Sequence, residues 1–219
     1  MTVAYDAILF DFDGVLVDSE PVHYECWRGV VEPYGFHLTW EDYAARCIGI
    51  SDHAMIRSLC RIMDRDDLFD PIWSQYGAKK EEFRRRMIDD LPMPEPLRRL
   101  ILELEGPRLA VVSSSGRLEI EPVLEAAGIR TRFAVIVTGE DVEHRKPAPD
   151  PYLKAAALLG ARRPLVVEDS VAGIASGRAA GFDVVEIPHP DETARLVMER
   201  LRDPAQVPCS TPVRPRRTG

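Results

Sequence analysis

Long apolar runs are missing from this 219-residue chain, since none approaches the roughly 18 to 20 residues that a membrane-spanning helix needs. We therefore expect no membrane partner. The N-terminus also lacks a basic stretch followed by an apolar core, so no secretory signal is expected and a cytoplasmic location is favoured. An excess of positive charge is missing too, because 28 Lys and Arg stand against 36 Asp and Glu, a formal net charge of −8. A nucleic-acid-binding surface needs clustered Lys and Arg, so nucleic acid is not an expected partner.

Cysteine is scarce, and the four that are present are Cys26, Cys47, Cys60 and Cys209. They lack the close pair spacing of metal sites, so we expect reduced and mostly buried thiols. The basic run at 84–86 is interpreted as the solvated face of a helix. The composition, with 45% hydrophobic and 29% charged residues, is ordinary for a globular protein. The length allows one domain with a substantial insertion.

Two acids stand directly after the first apolar run, residues 7–10, which is predicted to be a buried strand. Acids at this point lie at the carboxyl edge of a sheet, where open α/β folds bind ligands. Asp11 and Asp13 are separated by one residue, so they point to opposite sides of an extended segment. They cannot share one task unless the chain turns, and Gly14 allows a turn. Taken alone, the motif is equally typical of a solvated turn.

Three further predicted strands end in polar residues in the same way. The residues that follow them are Ser113, Ser114 and Ser115 after 109–112, Lys146 beyond 134–137, and Glu168 with Asp169 after 165–167. Each group has an ordinary interpretation as a helix cap, a surface lysine or an exposed acidic pair. Their joint occurrence at strand ends indicates a constellation of catalytic roles.

The segment at 18–91 shows no convincing strand and is predicted to be helical, whereas strands and helices alternate afterwards, up to a strand at 184–187. Such alternation predicts a parallel sheet with helices on both faces. We therefore predict an α/β fold, with a Rossmann-like core formed by 1–17 and 92–202 and an inserted all-α cap subdomain at 18–91. Residues 203–219, rich in Pro and Arg, are expected to form a poorly ordered tail.

Local signals predict four helices in the cap segment. The first, 21–34, has a proline near its first turn, and the second opens with a capping box formed by Thr39 and Asp42. Ser51 caps the third, and Asp70 opens a long fourth helix. The third helix is predicted to bury an apolar face formed by Met55, Ile56, Leu59 and Ile62.

The four motifs, in this order, resemble those of the haloacid dehalogenase superfamily, in the branch with a helical cap inserted after the first strand. That branch includes phosphatases and β-phosphoglucomutase-like enzymes. The segments that carry the resemblance are Asp11-Phe12-Asp13-Gly14, Ser113, Lys146 in Lys-Pro-Ala-Pro-Asp, and Glu168-Asp169-Ser170. The resemblance covers about residues 7–187 and implies phosphoryl-transfer machinery.

The resemblance and the demands of phosphate ester hydrolysis together assign a role to each motif. Asp11 is the expected nucleophile, which forms an aspartyl-phosphate, and Asp13 is the expected general acid and base. Dehalogenating members generally lack an acid at the second position, so Asp13 favours phosphoryl chemistry. Lys146 is expected to neutralise developing charge and to orient Asp11. Ser113, with the nearby amide of Ser114, is expected to bind phosphoryl oxygens.

A metal ion is expected because the nucleophile and the phosphate are both anions. All-oxygen ligation suits Mg²⁺, held by Asp11, Glu168 and Asp169. By resemblance, Asp13 contributes its backbone carbonyl. The family commonly has glycine before the lysine, whereas this chain has Arg145, which either alters the loop or adds positive charge near the site.

Substrate specificity is expected to come from the cap, with Ser19 at the hinge and His23 one turn into the first helix. In β-phosphoglucomutase relatives a histidine at this spacing assists catalysis, although packing is the commoner role of a lone histidine. The mutase cap loop also carries basic residues for a second phosphate. Here the stretch 47–53 has neither Lys nor Arg, and only Arg46 and Arg57 flank it. A hydrolase acting on a small phosphorylated metabolite is therefore preferred, with a sugar phosphate mutase as the alternative.

A regulatory receiver domain is the hypothesis from another class, since it combines a phospho-accepting aspartate, an acidic pair, a hydroxyl residue and a lysine. Its acidic pair lies at the first strand and its acceptor at a later one, the reverse of the order here, and it lacks an inserted cap. Chain order therefore argues against it. The substrate's identity and the oligomeric state stay open at this point.

Overall fold

Five parallel strands form the centre of the computed structural model, which describes residues 5–48 and 50–202. The strands are β1 (Ala7–Phe10), β2 (Arg108–Val112), β3 (Phe133–Val137), β4 (Pro164–Glu168) and β5 (Asp183–Glu186). They pair in the order β3-β2-β1-β4-β5. Each lies within one residue of its predicted ends, which confirms the sequence prediction of an α/β sheet.

Ten α-helices accompany the sheet within the described residues. They are α1 (Glu20–Val31), α2 (Trp40–Arg46), α3 (Asp52–Ile62), α4 (Phe69–Trp73), α5 (Tyr76–Asp89), α6 (Glu95–Glu103), α7 (Arg117–Ala126), α8 (Asp150–Leu159), α9 (Val171–Ala179) and α10 (Pro190–Arg202). None of the described helices is both long and apolar enough to cross a membrane.

Helices cover both faces of the sheet, which explains why the strands are apolar throughout. On β1, Ile8 and Phe10 point into a core shared with α6, α7 and α10, whereas Ala7 and Leu9 point into a second core shared with α8. Helix α9 packs on the second face as well, since a Cβ on its Gly177 would lie 3.0 Å from a Val166 side-chain carbon. The predicted layers are therefore confirmed.

The order of the strands places a crevice at the carboxyl end of β1. Strands β2 and β3 extend the sheet on one side of β1, and β4 and β5 on the other, so the chain changes direction there. Ligands of open α/β sheets bind at such a switch point. Phe10 is level with Val111 of β2 and Val167 of β4, and Asp11 is the next residue along. Asp11 therefore enters the crevice between the ends of both neighbours.

Helices α1 to α5 lie between β1 and α6 in the chain, and most of them share a core of their own. Eleven buried side chains form it: Trp27, Val31, Phe36, Leu38, Tyr43, Cys47, Met55, Ile56, Cys60, Phe69 and Ile72. This separate core supports the proposed cap at 18–91. Phe83 and Met87 of α5 instead join the core on the α7 side of the sheet, so α5 connects the two parts.

Two predicted helix starts in the cap are confirmed by their hydrogen bonds. The Thr39 hydroxyl accepts a bond from the Asp42 amide (3.1 Å), and the Ser51 hydroxyl accepts one from the Ala54 amide (3.3 Å). The predicted apolar face of α3 is buried at Met55 and Ile56, but it does not extend to Ile62.

Ile62, predicted to be buried on α3, is 57% exposed, and Cys60 is buried instead. The fourth predicted helix is also wrong, because the structure has two helices there, α4 and α5, and Asp70 lies inside α4. The reason is packing: Phe69 of α4 joins the cap core, whereas Phe83 of α5 faces the sheet. One straight helix cannot pack against both cores.

Helix α10 was not predicted, although it buries Thr193, Val197 and Arg200. Most of its residues are charged or polar, because only a narrow apolar stripe faces α6 and the sheet. The apolar pattern in the sequence is therefore weak. Cys26, Cys47 and Cys60 are buried free thiols, as predicted. The expected tail at 203–219, with Cys209, lies outside the described residues.

Candidate active site

One lysine joins the ends of three strands in the crevice. The Lys146 ammonium donates to Asp11 Oδ1 (2.9 Å), to Glu168 Oε1 (2.6 Å) and to the Val112 carbonyl (2.9 Å). An ammonium has three N–H groups, so all are used. The Lys146 side chain is only 5% exposed. Lys146 therefore fixes the orientation of the Asp11 carboxylate after β1 relative to β2 and β4.

Glu168, at the end of β4, is the most heavily bonded carboxylate of the site. Its Oε1 accepts from Lys146 and from the Tyr152 hydroxyl (2.9 Å). Its Oε2 accepts from the Asp169 amide (3.0 Å) and from the amide and hydroxyl of Ser170 (3.0 and 3.1 Å). A carboxylate offers about four lone-pair positions. Glu168 is therefore fully engaged in holding its neighbours in place.

Tyr152 of α8 is a site residue that sequence reasoning missed. It is fully buried, and its contact with Glu168 joins residues far apart in the chain. In the sequence, a tyrosine on an apolar helix face cannot be distinguished from a residue that only packs in the hydrophobic core. Glu168 also requires a glycine at position 173 of α9, because a Cβ there would lie 1.6 Å from Glu168 Oε1.

Asp11 and Asp13 have different surroundings, as the spacing predicted. Asp13 Oδ1 accepts a hydrogen bond from the Ser19 hydroxyl (2.6 Å), and its Oδ2 accepts one from the Ser115 hydroxyl (2.8 Å). The chain turns at Gly14, which has a φ of 73°. Asp13 is thus held by hydroxyls from the hinge and from the loop after β2, whereas Asp11 is held by the lysine.

The loop that carries Asp13 is held from two sides. On one side, Gly14 lies against the Asp169 carboxylate so closely that a Cβ would be 2.1 Å from its Oδ2. On the other side, the hydroxyl of Thr193, fully buried on α10, donates to the Val15 carbonyl (2.9 Å). Thr193 was missed because α10 itself was not predicted.

The serine loop after β2 contains the predicted phosphate-binding residues. Ser113 is buried and its hydroxyl accepts from the Ser115 amide (3.1 Å), whereas Ser114 is exposed. Gly139 of the next loop lies beside Ser114, since a Cβ there would be 2.6 Å from the Ser114 carbonyl oxygen. The exposed Arg145, found where the family commonly has glycine, donates from Nε to the Gly139 carbonyl (3.1 Å). Arg145 therefore joins the ends of its own loop.

The carboxylates of Asp11, Glu168 and Asp169 form a cluster in which one oxygen of each lies within 4.8 Å of the others. Burial raises the pKa of Asp11 well above its usual range. Burial, followed by the charge on Glu168, raises the pKa of Asp169 to about 7. Burial disfavours the charged form of Lys146, but the Asp11 and Glu168 carboxylates outweigh it and raise the pKa of Lys146.

The cluster is also short of positive charge. Three carboxylates face one ammonium, which leaves two negative charges without a partner among them. Oxygen donors and two missing positive charges fit a hard divalent cation. Asp11 and Asp169 would hold it together with the backbone carbonyl of Asp13, whereas Glu168, whose oxygens already accept hydrogen bonds, adds negative charge to the cluster.

Of the two predicted cap residues, the structure brings Ser19 to Asp13 and places His23 elsewhere. The His23 Nδ1 lies 2.7 Å from the Lys79 ammonium, and its ring stacks on Phe83 at 3.9 Å. Burial, followed by the charge on Lys79, lowers the pKa of His23 to about 3. His23 is therefore neutral and accepts a hydrogen bond from Lys79; within the described contacts it does not touch Asp13.

Comparison with known proteins identifies the family and several relatives. The family described as haloacid dehalogenase-like hydrolase matches residues 8–187. Fructose-1-phosphate phosphatase YqaB from Escherichia coli (strain K12) is 33% identical over 186 residues, which are 84% of this chain and 96% of the relative. A HAD family hydrolase from Deinococcus radiodurans R1, solved with bound phosphate and sodium, is 31% identical with a TM-score of 0.68, covering 91% of this chain and 89% of that one. CbbY from Rhodobacter sphaeroides in complex with xylulose-(1,5)bisphosphate is 26% identical with a TM-score of 0.65, covering 82% and 84%.

The buried, neutral His23 predicts a specific loss of stability in acid. Its pKa is about 3 in the folded protein, against about 6.5 in an unfolded chain, so the unfolded state binds the extra proton between these values. Stability is full above pH 6.5 and falls as the pH drops below it, by about 2 kcal/mol at pH 5. His23→Gln keeps a hydrogen-bond acceptor and does not titrate, so it should escape this loss.

Urea denaturation of the wild type and His23→Gln at pH 7.5, 6.5, 5.5 and 5.0 measures the difference in unfolding free energy. The control is His37→Gln, which changes an exposed histidine of the cap. Parallel pH dependence of wild type and His23→Gln would contradict the expectation.

Proposed function

The chain belongs to the haloacid dehalogenase-like hydrolase family, as a phosphatase of that family, and we propose that it hydrolyses a small phosphorylated sugar with Mg²⁺ through an aspartyl-phosphate on Asp11. The family match over residues 8–187 confirms the resemblance found in the four motifs. The observation that carries the proposal is the Asp11 carboxylate, oriented by Lys146 inside the cluster of three carboxylates. The phosphatase from Escherichia coli named for fructose 1-phosphate supports the substrate class.

The size of the barrier explains why several groups must cooperate. Phosphate monoester hydrolysis needs accelerations towards ~10²¹, roughly 28 kcal/mol of barrier lowering. One general acid supplies about 3 to 5 kcal/mol. The remainder must come from the nucleophile, positioning and charge. A bound Mg²⁺ would supply positive charge that offsets the repulsion between the Asp11 carboxylate and the phosphate.

The two aspartates divide the reaction between them. Asp11 attacks phosphorus, so a bond to its carboxylate oxygen forms while the bond to the leaving oxygen breaks. Asp13 gives its proton to that oxygen, and burial, partly opposed by the hydroxyls of Ser19 and Ser115, raises its pKa, which favours a proton-carrying form. Water then attacks phosphorus, its proton returns to Asp13, and Asp11 is released with inorganic phosphate. Lys146 keeps the Asp11 carboxylate oriented in both steps.

The cap contacts favour this phosphatase over the mutase alternative. A mutase needs cationic groups for a second phosphate, and the two arginines that flank the stretch 47–53 both have contacts within the cap. Arg46 lies 3.8 Å from Asp42, and the Arg57 guanidinium lies 3.9 Å from the centre of the Phe69 ring.

We expect Asp11→Asn to abolish phosphate release without loss of the fold. The amide has nearly the same shape as the carboxylate, but it is a poor nucleophile. Phosphate release from a panel of sugar phosphates, with a search for an acid-labile phosphoenzyme, measures the effect. Asp191→Asn changes an aspartate whose side chain is 72% exposed and is the matched control. Activity above roughly a hundredth of wild type would remove Asp11 from the nucleophile's role.

Chelation of divalent metal should stop phosphate release, and Mg²⁺ should restore it. Asp169→Asn should raise the Mg²⁺ concentration needed, because it removes one charge from the cluster. Calorimetric titration with Mg²⁺ alone tests binding without turnover, again with Asp191→Asn as the control. A large excess of Ca²⁺ should inhibit, since its looser coordination disturbs the in-line geometry. Full activity of thoroughly demetallated protein would refute the metal requirement.

Thr193→Val should lower kcat roughly 10- to 100-fold with little change in KM, because small displacements of a catalytic group are costly. Valine keeps the shape of threonine but leaves the Val15 carbonyl without its hydroxyl donor, so the loop with Asp13 loosens. Thr193→Ser keeps the hydroxyl and should retain most of the activity. Steady-state kinetics with thermal melting compares the pair. If serine is as damaging as valine, the expectation is contradicted, because serine keeps the hydroxyl that donates to Val15.

A further inference from the structure

The cap contains a buried ammonium that is hidden behind a carboxylate. The Lys79 side chain on α5 is 1% exposed, whereas that of Asp52, the first residue of α3, is 29% exposed. The Lys79 ammonium lies 3.5 Å from Asp52 Oδ2. Asp52 is held in place because its Oδ1 accepts a hydrogen bond from the fully buried Trp27 indole (2.9 Å). A molecule that approaches this pair therefore meets negative charge first.

A short series of contacts joins this pair to the catalytic site. The Ser19 hydroxyl donates to Asp13, and the His23 amide donates to the Ser19 carbonyl (2.9 Å), one helical turn further along α1. His23 Nδ1 meets Lys79, and Lys79 meets Asp52. Besides burial, the charges on Asp13 and on Asp52 both act on Glu20, the first residue of α1, and both raise the pKa of that carboxyl, so the two aspartates lie on either side of the hinge.

The neighbouring charges do not restore a positive surface. Lys80 of α5 forms an ion pair with Glu119 of α7, across the boundary between cap and sheet. Glu20 accepts a hydrogen bond from the Tyr43 hydroxyl (2.9 Å), and burial raises the pKa of Glu20, with the charge on Asp52 adding to the effect. Lys79 and Lys80 are therefore each paired with a carboxylate.

We propose that Asp52 determines substrate choice, by accepting hydrogen bonds from hydroxyl groups at the far end of a sugar monophosphate and by repelling a second phosphate. This inference rests on the proposed phosphatase function. A carboxylate is a strong, charge-assisted acceptor for a hydroxyl. The same carboxylate repels an anion at short range, more strongly where protein displaces water. The relative CbbY, solved with xylulose-(1,5)bisphosphate, represents the class of ligand that this cap rejects.

The test compares fructose 1-phosphate with fructose 1,6-bisphosphate in wild type, Asp52→Asn and Asp52→Ser. Both variants remove the charge, and asparagine keeps an oxygen acceptor for Trp27. We expect the ratio of kcat/KM, monophosphate over bisphosphate, to fall about tenfold in both variants. The KM of the monophosphate should rise because the acceptor for its hydroxyl groups is weakened, and that of the bisphosphate should fall because the negative charge that repels its second phosphate is gone.

Glu41→Gln is the matched control, since it removes one negative charge from an exposed position of the cap on α2. It should leave the ratio at the wild-type value. An unchanged ratio in both Asp52 variants, with near-ultraviolet circular dichroism like that of the wild type, overturns the proposal. An equal change in Glu41→Gln overturns it too, because overall charge would then explain the effect.

A binding measurement separates this proposal from the proposed function. In Asp11→Asn protein, calorimetry gives the Kd of both sugar phosphates without turnover, with and without Asp52→Asn. A ratio of Kd values, bisphosphate over monophosphate, that falls about tenfold on adding Asp52→Asn supports the role of Asp52, even if the wild type releases no phosphate and the phosphatase proposal fails. The same ratio in both proteins, or no binding of either sugar phosphate, overturns the role.

Discussion

The site depends on one ammonium shared by two buried carboxylates. Lys146 reaches Asp11 and Glu168 with distances of 2.9 and 2.6 Å, and it is nearly inaccessible to water. Burial of unpaired carboxylates is costly, and removing one partner of such a pair costs about 3 to 5 kcal/mol. The lysine therefore makes it possible to bury two acids at the ends of adjacent strands. Its single charge leaves two of the three carboxylates of the cluster without a balancing charge, and this deficit of positive charge makes the cluster fit for a divalent cation.

The sheet provides the geometry on which this interaction depends. Strands β1 and β4 run side by side with Phe10 level with Val167, so Asp11 and Glu168 leave the sheet at the same height. Their positions follow from backbone pairing, not from flexible loops. Only the lysine comes from a longer connection, between β3 and α8. Asp11 and Glu168 are thus positioned by strand register, whereas Lys146 reaches them from a connecting segment.

Much of this arrangement was predictable because it is local in sequence. The candidate catalytic acids directly follow apolar runs, and the end of a strand can be recognised from the sequence. The contacts that could not be predicted join distant segments: Tyr152 to Glu168, Thr193 to Val15 and Lys79 to His23. Nothing near each residue in sequence reveals its partner.

The errors in the cap have a related cause. Periodicity predicted that Ile62 would be buried, but α3 packs on the rest of the cap through Met55, Ile56 and Cys60. The last turn extends past the core and is solvated. The predicted long helix after Asp70 failed because its two halves pack against different cores. Helical periodicity shows which face can be buried, whereas the surrounding elements decide how much of it is covered.

The division between sheet and cap would separate the proposed chemistry from the proposed recognition. The candidate catalytic groups lie at strand ends whose positions are set by backbone register, so they tolerate little change. The groups proposed to recognise the substrate come from α1, α3 and α5, which touch one another through side chains such as Asp52, Lys79 and His23. A single substitution among them would change the charge of this part of the cap without disturbing the sheet. On the proposed function, such a fold would keep one phosphoryl-transfer site while its cap adapts to different substrates.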